Sequence, residues 1–325
     1  MATNQELLRK ADLTLTDLQT NGGYLPAEEG ARFVRKLIKA ANLLAQVRVV
    51  EMTSPIRKIN KIGFSKRILR RAQSATALTA AQRSKPDTEQ IQLVSKEQIA
   101  EVRLPYDVLE DSIERAEAAN NEAANTGPGG LRQTLIDLIA ERASTDLEEL
   151  AILGDTAYVN AADADDQAYL SQVDGFLKKG LTEGHLVDAA NAPVTKQVFR
   201  EGMKAMPDVY LRNRAAMRHF VSVDAEIDWR DSISDRGTGL GDSATTGSAR
   251  VPAYGVPVDP IEMMPDDRGL FTNPLNLIMG IQRQVSMEFD KDITSRVYII
   301  VLTCRVDYQV EETDALVAYD NISSL

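Results

Sequence analysis

The sequence predicts an α+β fold in which a long helix packs on long strands. Three observations carry that reading. Leu131, Leu135, Leu138, Ile139, Leu147, Leu150 and Leu153 recur at helical spacing up to Gly154. Tyr298, Ile300, Leu302, Cys304, Val306, Tyr308 and Val310 alternate with polar residues, as a strand with one covered face requires. LNLIMGI (275–281) is an almost continuous apolar run, which fits a buried strand.

Taken in order, residues 1 to about 26 are polar and broken by Gly22-Gly23, with too few apolar side chains to offset the ordering of a separate core, and are expected to form an arm. Phe33, Leu37, Ala40, Ala41 and Leu44 predict a short amphipathic helix, and Val47 and Val49 a strand after it. From Thr53 to Pro86 there are nine bases and no acid, without clear periodicity, so the segment reads as a projection or a disordered tongue. Ile91, Leu93, Ile99, Val102 and Leu104 suggest a second extended segment. Between Glu97 and Glu122 eight acids face only Arg103 and Arg115.

The helix over 131–153 would span about 35 Å at 1.5 Å per residue, with Gly154 expected as its C′ glycine. Residues 155–195 read as irregular, and VFREGMKAM and AMRHFVSV as one helix and one strand. GTGLGDSATTGSA (237–249) reads as a mobile surface loop. Val285, Met287 and Phe289 alternate like a half-buried strand.

Composition excludes several functions. The chain has 325 residues and a net charge of −11, so bulk positive charge cannot hold it on nucleic acid. One cysteine forms no internal disulfide, and with two histidines it supplies no Cys/His zinc cage. No cofactor and no metal are expected. The opening residues lack the apolar core of a secretory signal, no apolar run is long enough to cross a membrane, and no internal repeat is visible. The glycine-rich loop lacks the lysine of a phosphate-binding loop, with Asp242 where a third glycine would stand. His219 lacks a recognisable catalytic context and is expected to be packed or at the surface. The adjacent acids Glu110-Asp111, Glu148-Glu149 and Glu311-Glu312 are expected on solvated faces.

The basic tongue is the feature that calls for a partner. A solvated loop, a grip on single-stranded nucleic acid and a contact arm for another copy of the chain all fit. Phe64 is its only aromatic, which disfavours base stacking, and the acids of a neighbouring copy offer a target. Contact residues are therefore expected at Arg57, Lys58, Lys61, Lys66, Arg67, Arg70 and Arg71 on the tongue, and at Glu110, Asp111, Glu114 and Glu117 on the acidic side.

The order of these elements resembles the HK97-like major capsid proteins of tailed bacteriophages. The resemblance rests on LRQTLIDLIAERASTDLEELAILGD (131–155), YGVPV (254–258), and LNLIMGIQRQVSMEF followed by YIIVLTCRVDYQV, and it covers nearly the full chain. It implies an N-terminal arm (1–28), a short helix and strand (29–52), an extended E-loop (53–90) and a P-domain (91–189) containing the spine helix. An A-domain (190–285) and returning P-domain strands with the C-terminal segment (286–325) would follow. The implied function is assembly, as hexamers and pentamers, into an icosahedral shell enclosing double-stranded DNA without sequence-specific binding. The implied setting is a virion assembled in the cytoplasm of a bacterial host, with portal and scaffolding proteins and no membrane. The short arm before the fold implies a separate scaffolding protein or a segment already removed. No acceptor Asn can be matched to Lys58, Lys61 or Lys66 for covalent crosslinking. An encapsulin-type shell is the alternative within the fold, and a hydrolase built on His219 the alternative outside it.

Overall fold

A computed structural model of the chain describes residues 43–64, 67–69, 71, 79, 83–105, 131–234 and 250–323. The N-terminal arm, the helix expected around Phe33 and Leu37, and the loop at 237–249 lie outside the described residues, as do Lys66, Arg70, Glu110, Asp111, Glu114 and Glu117.

Strands β1 (Arg48–Glu51), β2 (Ile56–Gly63), β3 (Asp87–Val94) and β4 (Lys96–Pro105) precede the long helix α1 (Leu131–Leu153). Helices α2 (Ala164–Leu170) and α3 (Phe176–Glu183) lead to β5 (His185–Ala192), α4 (Lys196–Ala205), β6 (Arg218–Val221) and α5 (Val223–Ser234). Strands β7 (Val258–Pro260), β8 (Gly269–Thr272), β9 (Leu277–Asp292), β10 (Val297–Val310) and β11 (Val317–Ile322) complete the chain. Among the described residues a four-stranded sheet runs β1-β9-β10-β4, a five-stranded sheet β5-β11-β8-β6-β7, and β2 pairs with β3 in a two-stranded sheet.

The long helix lies where the leucine spacing puts it, and Leu147, Leu150, Ala151 and Ile152 pack with Cys304, Val306, Tyr308 and Val310 of β10 and with Phe176 and Leu177 of α3. Phe220, Leu270 and Ala318 join that core from the five-stranded sheet, with Leu316 just before β11. The sheet's other face, through Val221, Phe271, Val317 and Tyr319, packs with Phe199 and Met203 of α4 and Trp229 and Ile233 of α5. Alternation along β8 and β11 thus feeds two cores from one sheet. Leu138, expected on the buried face with Leu147, is only half-buried.

Gly154 ends the helix for a different reason from the expected one. The only glycine with a left-handed φ among the described residues is Gly255, at +83°. A Cβ on Gly154 would stand 2.4 Å from the Val173 carbonyl oxygen and 2.6 Å from that of Leu150, while the Gly175 amide donates to the Gly154 carbonyl at 2.8 Å. Glycine is needed there for backbone-to-backbone approach between the end of α1 and the start of α3.

Residues 155–195, expected to be irregular, hold α2, α3 and β5. Both helices are too short to display a period. Helix α2 starts at Asp163, whose carboxylate accepts from the amides of Asp165 and Asp166 at 3.0 and 3.1 Å. Burial of Phe176 and Leu177 holds α3. In YGVPV, Tyr254 and Gly255 both have positive φ, and the amides of Ala253 and Val256 each donate to the other's carbonyl. That tight reversal delivers Val258 into β7.

Candidate assembly arm and its anchorage

The tongue expected without periodicity begins and ends as a ribbon. Strands β2 and β3 pair antiparallel from Ile56↔Val94 to Gly63↔Asp87, and most of their side chains are exposed. An isolated two-stranded ribbon is marginal in water. What fixes this one is its contact with the body of the subunit. Leu93 is fully buried and clusters with Val50, Met52 and Ile278, with Ile59 packed against them.

Polar groups complete the anchorage, chiefly from the end of β10 and the turn after it. The Val94 amide donates to Asp307 Oδ2 at 2.6 Å. Lys61 Nζ donates to Glu312 Oε2 at 2.7 Å, to the Glu311 carbonyl at 2.9 Å and to Glu89 Oε2 at 3.4 Å. Ser95 Oγ donates to Gln282 Oε1 at 2.7 Å, and Arg48 pairs with Glu311 at 2.9 Å. Behind Asp307, Lys179 of α3 donates to the Tyr308 carbonyl and to Gln309 Oε1 at 2.5 and 2.6 Å.

This packing changes the electrostatics of the groups involved. Burial pushes the Asp307 carboxyl above its ordinary range, against the opposing pull of the Val94 amide and the Lys179 ammonium. Burial likewise pushes Lys179 down, opposed by Asp307, Glu183 and Asp174. Burial also works to lower Lys61, but its hydrogen bonds and ion pairs with Glu312 and Glu89 together raise it.

The expected contact residues therefore divide. Lys58, Arg67 and Arg71 are exposed. Arg57 is exposed and donates to the Glu51 carbonyl. Lys61 is half-buried and engaged with acids of its own chain, so its principal work is to hold the arm down. Within the acidic block, Glu97 pairs with Arg305 at 2.8 Å and Glu101 with Arg103 at 2.7 Å, inside the same subunit.

Sequence reasoning missed the anchor itself. Glu311 and Glu312, read as a solvated face, are ion-paired to Arg48 and Lys61, and Glu148 is buried and accepts from the Leu43 amide. The polar face of β10, expected in solvent, is buried at Thr303 and at Asp307, which is 7% exposed. An aspartate interrupting an apolar strand was the available signal, but nothing local names a partner 213 residues away.

His219 is fully buried, stacked on Phe271 at 4.3 Å and tilted against Phe199 at 4.6 Å, with Nδ1 3.0 Å from the Tyr319 hydroxyl. Burial alone pushes its pKa down to about 3. It is a packed, neutral imidazole shut away from any substrate.

Over 325 residues the chain is 39% identical to the prophage capsid protein YqbE of Bacillus subtilis (strain 168), an alignment covering 96% of this chain and 97% of that protein. The chain belongs to the HK97-like phage major capsid proteins. Solved structures agree on the fold. A procapsid of satellite phage P4 matches with a TM-score of 0.62 at 13% identity, covering 98% of this chain and 96% of that one. The capsid of a native GTA particle matches at 0.59 and 16% identity, over 94% and 98%. The SrpI encapsulin of Synechococcus elongatus PCC 7942 matches at 0.58 and 13%, over 96% and 97%. No family model matches the chain. The capsid subunit is a structural protein of the virion that builds an icosahedral shell from copies of itself, and it is not an enzyme.

Proposed function

We propose that the subunits associate as hexamers and pentamers, with residues 53–90 as the E-loop reaching over a neighbour. In this reading Arg57, Lys58, Lys66, Arg67, Arg70 and Arg71 meet acids of the adjacent copy, Glu110, Asp111, Glu114 and Glu117 among them. Residues 91–189 and 286–325 supply the P-domain and 190–285 most of the A-domain, to which β11 adds a strand through its pairing with β5 and β8. The shell encloses double-stranded DNA, is assembled in the bacterial cytoplasm, and works with portal and scaffolding proteins. A net charge of −11 suits a container that must fill and empty without gripping phosphates.

The observation that carries this reading is the arm: one end is fixed to the body through Leu93, Val94 and Lys61, while the bases beyond Lys61 that the structure describes, Arg67, Arg71, Arg83 and Lys85, are exposed. The 39% identity to a prophage capsid protein favours a phage shell over an encapsulin. Sedimentation velocity of wild type against an Arg67→Glu/Arg70→Glu/Arg71→Glu variant tests it. The variant should stay folded and soluble, with shell formation sharply reduced and the difference narrowed by salt. Shells like those of wild type would remove these arginines from the interface.

A further inference from the structure

Away from the arm, a second basic surface lies over the core on the other side of the five-stranded sheet. Helix α4 buries Val198, Phe199, Gly202 and Met203, while Lys196, Arg200 and Lys204, four residues apart, stand exposed along its outer side. At 1.5 Å per residue they form a ridge about 12 Å long. The chain then enters a 3-10 turn, Tyr210–Ala216, in which Tyr210 and Leu211 pack on the same core as Phe199 and Met203, and Arg212 and Arg214 are exposed. Among the described residues none of these five bases has an ion-pair partner, whereas Arg48, Arg142, Lys178, Arg230, Arg268 and Arg305 each pair with an acid of their own chain. Arg218 and Arg250, close by in the sheet, are likewise held, at 3.7 and 2.6 Å from the buried carboxylate of Asp259. Residues 196–214 contain two acids, Glu201, which accepts from Gln197 at 3.0 Å, and Asp208, so the segment is +3 and the rest of the chain −14.

We propose that Lys196, Arg200, Lys204, Arg212 and Arg214 form a contact site for the phosphate backbone of duplex DNA. Charge complementarity selects a polyanion, and what is missing around the bases selects the kind. A protein contact has an apolar or aromatic centre. Here Val209 is the one large exposed apolar residue of the segment, and the outer side of α4 offers only Lys196, Gln197, Arg200 and Lys204. No aromatic of the segment is exposed to stack on an unpaired base, since Phe199 is buried and Tyr210 packs on the core, so a single strand has no platform. A duplex needs none, and it presents one phosphate charge per 1.7 Å, about seven along the length of the ridge. Such a site reads charge and not sequence. Five bases on a chain of net −11 make a weak contact that salt releases, a place where DNA can rest against the subunit without being gripped.

Fluorescence anisotropy with a labelled random-sequence duplex, titrated with unassembled full-length subunits at several salt concentrations, tests the site. Wild type should bind at low salt, and Lys196→Gln/Arg200→Gln should bind at least fivefold more weakly, with the slope of log affinity against log salt shallower by about 2, the worth of two phosphate contacts. Lys96→Gln/Arg142→Gln removes the same charge from exposed bases elsewhere and should bind within twofold of wild type, and all three proteins should share one thermal midpoint. Equal weakening in the two variants would overturn the proposal in favour of net charge without a site, as would a wild type that binds no duplex at low salt. A lowered midpoint for Lys196→Gln/Arg200→Gln would overturn it by giving these bases to their own subunit's fold. Tighter binding of polyglutamate than of DNA, lost in that variant, would overturn it in favour of an acidic protein partner. No shell enters the assay, so its failure would leave the assembly reading standing, and subunits that never assemble would leave the phosphate site standing.

Discussion

The Tyr308 hydroxyl donates to the Leu147 carbonyl at 2.8 Å, both groups buried, and so ties the longest helix to the strand that anchors the arm. Tyr308 sits on the helix side of β10 and its neighbour Asp307 on the arm side, which makes two consecutive residues the joint between spine and arm. Burial raises the Tyr308 pKa well above its ordinary value, so the hydroxyl remains a donor at any working pH. Tyr308→Phe keeps the edge contact with Phe176, whose ring centroid lies 5.7 Å away, and loses only the hydrogen bond. It should cost about 1 to 2 kcal/mol of subunit stability. Denaturant unfolding measures this, and an unchanged midpoint would mean the bond does not hold in solution.

Leu147 and Leu138 lie on the same helix but should respond differently to truncation. Leu147 is 9% exposed within the main core, and Leu147→Ala should cost about 2 to 5 kcal/mol through lost burial and a residual cavity. Leu138 is half-buried, and its replacement by Ala should cost less than half as much. Equal losses in urea unfolding would show that Leu138 is packed as tightly as Leu147.

Asp307 offers a sign test. Its carboxyl is raised in the folded state, so the unpaid cost of charging it is greatest above that pKa and is relieved, not incurred, as pH falls through it. Acid should therefore not release the arm through this residue. Asp307→Asn can still accept from the Val94 amide without the buried charge, although Lys179 loses its facing carboxylate, and hydrogen exchange at Val94 should stay close to wild type. Asp307→Ala should speed that exchange by about tenfold, the worth of one lost hydrogen bond. Similar exchange in both variants would show that the arm is held by Leu93 and Lys61 alone.

His219 sets a pH dependence of the opposite kind. Its folded pKa of about 3 lies below its ordinary value, so the stability it contributes is present above about pH 6.5 and is lost as pH falls towards 3. His219→Phe should flatten the stability profile between pH 6 and 4, while leaving the Tyr319 hydroxyl without its partner and costing about 1 to 2 kcal/mol at pH 7. Parallel acid-unfolding curves would show that other groups govern the acid limit.

Regular elements were legible in the sequence and irregular ones were not, for a physical reason. Helix α1 and strand β10 each keep one period long enough to read, and their limits emerge close to those expected. Strand β2 hides because its isoleucines, Ile56, Ile59 and Ile62, are spaced by three and cannot share one face of a strand. Only Ile59 turns to the body, while Ile56 and Ile62 are exposed. Helices α2 and α3 hide because they are short and owe their stability to residues distant in sequence. The basic character of the arm was visible from composition alone, but its anchorage was not, since Val94 and Lys61 find their partners 213 and 251 residues along the chain. Nor could spacing reveal that Lys61, one base among nine, faces its own subunit.

Electron cryo-microscopy of the assembled protein tests the central claim most directly. Closed shells of pentons and hexons are expected, each arm leaving its subunit just beyond Lys61 and crossing onto the next. Regular shells in which the arm folds back on its own subunit would contradict the role given to it, and purified subunits that form no shells would contradict the function itself.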